Sequence, residues 1–176
     1  ASSDGSCIIW DLKRLSRKHV LFANTQFTAA RYFPTCVQIL TSGTDRTISY
    51  WEVYDGSLVR EKEGSKVGAI NCLSMNSTGE FFISAGSDSI VRLWNYELGE
   101  VVAQGIGHAG SVTACKYSPD GKFFITGGMD GAIFMWKICE KFQSTNDESF
   151  GNKFRKLSMN NSHLKQPEHI QQINSR

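Results

Sequence analysis

Three side chains in the second half of the chain have the residue types of a catalytic site. Thr126 and Asp130 lie close together in the sequence, and His108 precedes them both. A hydroxyl, an imidazole and a carboxylate can activate a nucleophile together, because the imidazole takes the hydroxyl proton while the carboxylate orients the ring. These residue types therefore allow general acid–base chemistry at one place in the chain.

The other residues that could bind a metal or a phosphate lack the spacing for it. The four histidines are scattered, and His, Cys and carboxylate side chains form no cluster with ligand spacing. The glycine-rich segments 105–110 and 127–128 lack the Lys-Ser/Thr pair of a phosphate-binding loop. We therefore predict no metal and no cofactor. The cysteines form no C-x-x-C pair, which indicates mostly buried, reduced thiols in a cytosolic compartment: Cys7, Cys36, Cys72, Cys115 and Cys139.

Charge and hydropathy exclude two classes of partner. The 176 residues carry 19 basic and 17 acidic side chains, and 13 of each lie in residues 1–139. A general nucleic-acid binder needs a net basic face to displace counterions from the phosphates, whereas this region is neutral. No apolar run approaches the roughly 18–20 residues that span a bilayer. We predict neither a nucleic-acid nor a membrane partner.

Aspartate and tryptophan recur along the chain in register. The tryptophans are Trp10, Trp51, Trp94 and Trp136, at intervals of 41, 43 and 42 residues. An aspartate stands six residues before each tryptophan, and a serine or threonine stands four residues before each of the last three aspartates. Such regular spacing indicates a structural repeat. The matching positions are Thr41, Asp45 and Trp51, then Ser84, Asp88 and Trp94, then Thr126, Asp130 and Trp136.

Each repeat is predicted to form a small antiparallel sheet. Short alternating segments such as 111–117 and 123–126 are separated by turn residues, here Pro119-Asp120-Gly121. No segment of 1–139 sustains a helical period, so we predict an all-β fold for 1–139. Residues 140–176 are rich in Asn, Gln and Ser and are predicted to be a polar, slightly basic, flexible tail, in which Phe150, Phe154 and Leu157 have the spacing of a short amphipathic turn.

The chain resembles the WD-repeat β-propeller family through Trp10-Asp11, Gly107-His108 and the repeated Ser/Thr, Asp and Trp spacing. The resemblance implies that His108, Thr126, Asp130 and Trp136 form a buried hydrogen-bond chain rather than a catalytic site. It implies similar chains at Thr41, Asp45 and Trp51 and at Ser84, Asp88 and Trp94. The positions equivalent to His108 in those repeats are predicted to be Ala23 and Lys66, so their chains must be shortened or rewired.

The blades at the two ends are predicted to be incomplete. Residue 1 falls inside a repeat, so the first blade is truncated, and the last blade is expected to lack its outer strand after Trp136. Closed propellers typically have about four to eight blades, and an open arc exposes apolar sheet faces. We therefore expect this to be the C-terminal part of a propeller, about three to four blades, whose remainder comes from the same or another chain.

Four longer segments, 1–12, 41–56, 107–113 and 130–137, are similar to a family of WD-repeat proteins of motile cilia and flagella. The resemblance implies a non-catalytic scaffold of the axoneme, a microtubule inner protein near the inner junction of doublet microtubules. It also implies tubulin and other lumenal proteins, such as enkurin and the parkin co-regulated protein, as partners. The alternative is a soluble WD-repeat adaptor, such as a ubiquitin-ligase receptor or a signalling scaffold.

Two sets of residues are candidates for contact with a partner. Lys13, Arg14, Arg17 and Lys18 form a basic run that either docks onto an acidic protein surface or is a solvated loop. The residues just before the repeated aspartates, Thr44, Ser87 and Met129, are predicted to face the loop-rich rim of the propeller.

Overall fold

The computed structural model describes residues 1–138 and the backbone of residues 155–157, and within these residues every regular element is a strand. The strands are β1 (Ser6–Asp11), β2 (Ser16–Phe22), β3 (Phe27–Tyr32), β4 (Gln38–Gly43), β5 (Thr47–Glu52), β6 (Leu58–Glu63), β7 (Ile70–Met75), β8 (Phe81–Gly86), β9 (Ile90–Asn95), β10 (Glu100–Ile106), β11 (Val112–Tyr117), β12 (Phe123–Gly128), β13 (Ile133–Lys137) and β14 (Arg155–Leu157). The predicted all-β fold is confirmed.

The strands form four antiparallel sheets in the order of the chain. Sheet 1 contains β1 and β2, sheet 2 contains β3 to β6, sheet 3 contains β7 to β10, and sheet 4 contains β11 to β14. Within a sheet each strand pairs with the next one along the sequence, and the connections within sheets 1 to 3 and from β11 to β13 are short turns rather than crossovers. Sheets 2 and 3 are the predicted four-stranded blades, sheet 4 also has four strands, and β3, β7 and β11 are neighbours at their inner edges.

The tryptophan of each blade packs against the sheet before it. Trp136 is fully buried and lies in one apolar cluster with Ile83 and Val91 of sheet 3. Trp94 lies in the corresponding cluster with residues of sheet 2, and Trp51 lies in the cluster with residues of sheet 1. One tryptophan per repeat therefore seals each interface between successive sheets.

The outer strand of sheet 4 corrects the sequence analysis. The last blade was expected to lack this strand, but β14 pairs with β13 in the register Met135↔Leu157, Trp136↔Lys156 and Lys137↔Arg155. An unpaired strand edge carries free N–H and C=O groups, and a returning segment of the same chain satisfies them. The predicted amphipathic turn is wrong at Leu157, which lies in β14, while Phe150 and Phe154 lie outside the described residues.

Replacement of Gly105 tests the seal around Trp136. A Cβ at Gly105 would lie 2.7 Å from Cζ3 and 2.9 Å from Cη2 of Trp136, so Gly105→Ala must displace a buried ring. We expect a loss of about 1–3 kcal/mol in the free energy of unfolding, measured by urea denaturation. Gly127→Ala is the matched control, because its Cβ would meet nothing within 4 Å. Equal urea midpoints for the two variants would contradict this packing.

Candidate functional site

Four polar side chains of sheet 4 form one continuous hydrogen-bond chain. The Trp136 indole Nε1–H donates to Thr126 Oγ1 over 2.9 Å, and Thr126 Oγ1 lies 2.8 Å from His108 Nε2. His108 Nδ1 lies 3.0 Å from Asp130 Oδ2. Because the indole can only donate and the carboxylate only accepts, a neutral ring protonated at Nδ1 satisfies every member of the chain. The chain ties the loop before β11 to β12, β13 and the turn between them.

The Asp130 carboxylate is also held by backbone groups. Burial alone raises the pKa of Asp130, but the backbone N–H groups of Ala109 and Ala132 and the His108 ring oppose it and hold this pKa below its usual value. The His108 ring packs edge-on against Phe134, with the ring centroids 4.5 Å apart. Since His108 and Thr126 are buried and their polar atoms are already engaged, the geometry favours a structural link over attack on a substrate.

Sheet 3 replaces the histidine with a serine and an arginine. Trp94 Nε1–H donates to Ser84 Oγ over 2.9 Å, as in sheet 4. Asp88 Oδ2 accepts a hydrogen bond of 2.8 Å from Ser65 Oγ and forms an ion pair with Arg92 Nη2 at 2.6 Å. The side chains of Asp88 and Arg92 are each only 9% exposed, so this is a nearly buried ion pair. The rewiring predicted for this repeat is thus present, with no direct bond between Ser84 and Asp88 among the described contacts.

The residue equivalent to His108 in sheet 3 is Ser65 and not Lys66, which corrects the sequence analysis. Lys66 is exposed, whereas Ser65 is buried and contacts Asp88. The loop between β6 and β7 is one residue longer than the loop between β10 and β11, so counting back from the aspartate gives a position one residue too late. Counting forward from the preceding tryptophan would have found it, because Ser65 and His108 both stand fourteen residues after one.

Sheet 2 retains only the inner link. Trp51 Nε1–H donates to Thr41 Oγ1 over 2.8 Å. The predicted position of the histidine is Ala23, which has no polar side-chain atom, and among the described residues no hydrogen bond joins Thr41 to Asp45. Asp45 is therefore not part of the hydrogen-bond chain predicted for this repeat, because Ala23 has no side chain long enough to join Thr41 to Asp45.

All four repeated aspartates have one role in common, which is to cap the turn that follows. Asp4, Asp45, Asp88 and Asp130 each accept a hydrogen bond through Oδ1 from the backbone N–H two residues later, at 2.9 to 3.1 Å. An aspartate that binds its own backbone in this way initiates a tight turn. The spacing of the aspartates therefore reflects the turn between the second and third strands of each blade, and the link to histidine is an addition in sheet 4.

The sequence analysis missed a second polar bridge, which joins sheets 2 and 3. The Arg60 guanidinium lies 4.2 Å above the ring of Tyr50 and donates to the backbone carbonyls of Tyr96 and of Glu97, the latter over 2.7 Å. Burial raises the pKa of Tyr50 to about 12, although Arg60 opposes the shift. Arg60 lies in β6, an outer strand whose sequence predicts solvent-facing side chains, and no pattern in the sequence indicates that it joins two sheets.

The candidate partner-binding residues lie at two different ends of the sheets. Thr44, Ser87 and Met129 are all exposed in the turns after the second strand of each blade, on the same end as His108. Thr44 is also fixed by a hydrogen bond from the backbone N–H of Gln26. Lys13 and Arg14 are exposed in the turn between β1 and β2, and Arg17 and Lys18 are exposed at the start of β2.

The described residues hold no group of three or more His, Cys, Asp or Glu side chains that could bind a metal. Within the same residues, no helix is long and apolar enough to cross a membrane. The thiols of Cys7, Cys72 and Cys115 are free and buried and that of Cys36 is free and exposed, so most of the described cysteines are buried, as the sequence predicts. Cys139 lies outside the described residues.

Two segments of the chain match a known repeat family. Residues 56–95 and 99–137 match the family described as "WD domain, G-beta repeat". Together with the tryptophan-sealed four-stranded sheets, this decides the identity of the fold. The chain contains WD repeats. Its WD repeats are β-propeller blades, and repeats of this family mediate contacts between proteins.

The WD repeats are similar to those of ciliary proteins. The chain is 50% identical over 118 residues to cilia- and flagella-associated protein 52 of Mus musculus, and 49% identical over 118 residues to that of Homo sapiens; each match covers 67% of this chain and 19% of the relative. The protein of the same name from Chlamydomonas reinhardtii is 45% identical over 114 residues, covering 65% of this chain and 18% of the relative. The chain thus spans about a fifth of the length of these cilia- and flagella-associated relatives.

Removal of His108 tests the structural role of the hydrogen-bond chain. We expect His108→Ala to lower the free energy of unfolding by about 1–3 kcal/mol, because Thr126 and Asp130 lose a buried partner. His19→Ala is the matched control, since His19 makes only an exposed hydrogen bond with the Tyr54 carbonyl. Folding lowers the pKa of Asp130, so its carboxylate adds to the free energy of unfolding above the unfolded pKa of about 4. This contribution is lost as the pH falls through the pKa of the folded state. Equal melting temperatures for wild type and His108→Ala near pH 7 would contradict this role.

A double-mutant cycle tests the ion pair in sheet 3. Arg92→Met leaves the Asp88 carboxylate buried without its charge partner, and we expect a loss of about 3–5 kcal/mol in chemical denaturation. Asp88→Asn/Arg92→Met removes both charges and keeps an oxygen acceptor for the turn, so its loss should be well below the sum of the two single losses. Simple additivity would show that the two side chains do not stabilise each other.

Proposed function

We propose that the chain is part of a non-catalytic scaffold inside axonemal doublet microtubules, close to their inner junction. In this proposal it binds tubulin and other lumenal proteins, with enkurin and the parkin co-regulated protein as candidate partners. The similarity to cilia- and flagella-associated protein 52 from mammals to a green alga carries the proposal. A scaffold binds its partners through specific contact area and needs no catalytic turnover. This agrees with a polar network whose side chains form hydrogen bonds within the chain.

Polar contacts between successive sheets support a rigid scaffold. The Thr28 hydroxyl donates to the Ile70 carbonyl across sheets 2 and 3. Asn71 Nδ2 donates to the Val112 carbonyl over 2.8 Å, and the Tyr117 N–H donates to Ser74 Oγ over 3.0 Å, both across sheets 3 and 4. These contacts lock the inner strands in register on top of the apolar seal, so that surface residues on different blades keep fixed relative positions.

We also propose that further WD sheets, from the same protein or another chain, cover the two open sheet faces. Ile133 of sheet 4 is 65% exposed, whereas Val91 at the equivalent position of sheet 3 is 1% exposed beneath Trp136. At the other end, Trp10 is 56% exposed, although every other repeated tryptophan is buried. Sheet 4 thus has an apolar face without a covering tryptophan, and Trp10 has no sheet to cover. Both observations support a continuing propeller. The same open faces also expose Ile125.

Stepwise salt extraction of isolated axonemes tests the scaffold proposal. We expect peptides of this chain to stay in the pellet through high salt and to be released only when the doublets dissolve, because a lumenal protein is enclosed by the tubule wall. Quantitative mass spectrometry of each fraction provides the measurement. Proteins bound to the outer surface of the doublets serve as the internal control for extraction, because salt screens exposed ionic contacts.

Recovery in the detergent-soluble fraction, before any salt is added, would contradict the lumenal scaffold. The soluble WD-repeat adaptor for protein complexes would then be the better description. Peptides that precede Ala1 in the same fractions would support the continuing propeller, and their absence from all fractions would leave a second chain as the source of the covering sheets.

A further inference from the structure

Two cysteine thiols lie together in the apolar core between sheets 3 and 4. Cys72 is in β7 and Cys115 is in β11, the inner strands of these sheets, and both side chains belong to one buried cluster. Both thiols are free. The indole hydrogen bonds of the two blades go to hydroxyl groups instead, so the role of this pair is separate from the polar network.

Hydrogen bonds on both sides of the cysteines fix the register of the two inner strands. The Tyr117 N–H donates to Ser74 Oγ over 3.0 Å, between residues that are 43 apart in sequence. Each of these residues stands two positions after a cysteine, and Cys72 and Cys115 are therefore separated by the same interval. On the other side of the cysteines, the Asn71 side chain donates to a carbonyl of β11 as well. This register places the two cysteines opposite each other.

The equivalent positions at the preceding interface show which way the two side chains point. Strand pairing aligns Cys72 with Ala29 of sheet 2, and it aligns Cys115 with Leu73 of sheet 3. Ala29 and Leu73 are both buried in the cluster between sheets 2 and 3. The first position thus faces the next sheet and the second faces the sheet before it. At the interface between sheets 3 and 4, the same two positions hold a pair of facing thiols.

The two thiols are in contact and largely shielded from solvent. A hydrogen bond with Cys72, together with burial, raises the pKa of Cys115 well above its usual value. The Cys72 thiol also donates to the Ala85 carbonyl over 3.6 Å. The residues are 6% and 7% exposed. Because the thiolate is the form that reacts, the raised pKa slows oxidation, and the pair stays reduced unless an oxidant is supplied.

We propose that Cys72 and Cys115 are a site of reversible oxidation, at which a peroxide converts the two thiols into a disulfide that joins sheets 3 and 4. One ionised thiol attacks an oxygen of hydrogen peroxide, the O–O bond breaks, and a sulfenic acid forms while the hydroxide takes up the thiol proton as water. The second thiol attacks the sulfenic sulfur, so that the S–S bond forms and a second water leaves. Two thiols are thereby oxidised and one peroxide is reduced.

The disulfide adds a covalent link to an interface that is otherwise sealed by Trp136. It closes a loop from β7 to β11, which restricts the unfolded chain more than the folded one. In a reducing compartment such a bond is transient, since other thiols reverse it by exchange. Both sheets belong to the part of the chain that the structure describes, so the link depends neither on the ciliary scaffold nor on a continuing propeller.

Mass spectrometry of the full chain after peroxide treatment tests this site. The folded chain is treated with hydrogen peroxide, the remaining thiols are blocked with iodoacetamide, and the protein is digested with trypsin without reduction. We expect the tryptic peptides 67–92 and 93–116, which carry the two cysteines, to be joined, and dithiothreitol to separate them. The same treatment in concentrated urea should give mixed links that include the other cysteines, because the register is then lost.

Three variants separate this pair from the other thiols. Cys72→Ala and Cys115→Ala should each abolish the link between the two peptides. Cys7→Ala is the matched control, because Cys7 is 2% exposed but lies in the cluster between sheets 1 and 2, and its removal should leave the link intact.

Urea denaturation of the oxidised and reduced forms measures what the link does to the interface. At the urea midpoint of the reduced chain, oxidation should lower the ratio of unfolded to folded molecules by about tenfold or more. Cys7→Ala should show the same gain between its own two forms, whereas Cys115→Ala should show none.

Two outcomes would overturn the proposal. The first is that the two peptides remain separate after peroxide has oxidised the exposed thiol of Cys36 in the folded chain. The second is that the linked chain unfolds at the same or a lower urea concentration than the reduced chain, because the bond would then strain the interface instead of securing it.

Discussion

The described structure depends on covering one apolar face of sheets 1, 2 and 3 with the tryptophan of the next sheet. A four-stranded sheet of about twenty-five residues is too small to bury its own faces, so each becomes stable only against a neighbour. Trp51, Trp94 and Trp136 meet this requirement at three successive interfaces. Because the strand order, the repeat length and the positions of the turns are nearly constant, each tryptophan ring lies at the equivalent position of its sheet.

The polar network follows from the same burial. An indole N–H that enters an apolar interface needs an acceptor, and Thr41, Ser84 and Thr126 provide it in the three complete blades. Beyond that hydroxyl the blades differ, because each aspartate already accepts a backbone hydrogen bond within its own turn. Sheet 4 adds an imidazole, sheet 3 adds a buried ion pair and sheet 2 adds nothing, which shows that the outer link is adjustable while the inner link is not.

Surfaces that packing does not constrain are where the blades differ most. The turn after each tryptophan keeps its backbone conformation, with the fifth residue in the left-handed region, but its side chains change from neutral or acidic to strongly basic in sheet 1. A rigid sheet with a variable turn is suited to a scaffold, because the sheet fixes the direction in which each turn points.

The sequence by itself determined the repeat, the all-β class and the residues that satisfy each tryptophan, because alternation and turn chemistry act over a few neighbouring residues. Tertiary structure decided the rest. Ser65 meets Asp88 because a loop one residue longer shifts the count, and Arg60 bridges two sheets because the next turn places carbonyls within its reach. Residues 155–157 complete sheet 4 because β13 leaves a backbone edge unpaired. Each of these contacts joins residues that are distant in sequence, and their meeting depends on how the sheets stack rather than on any local pattern.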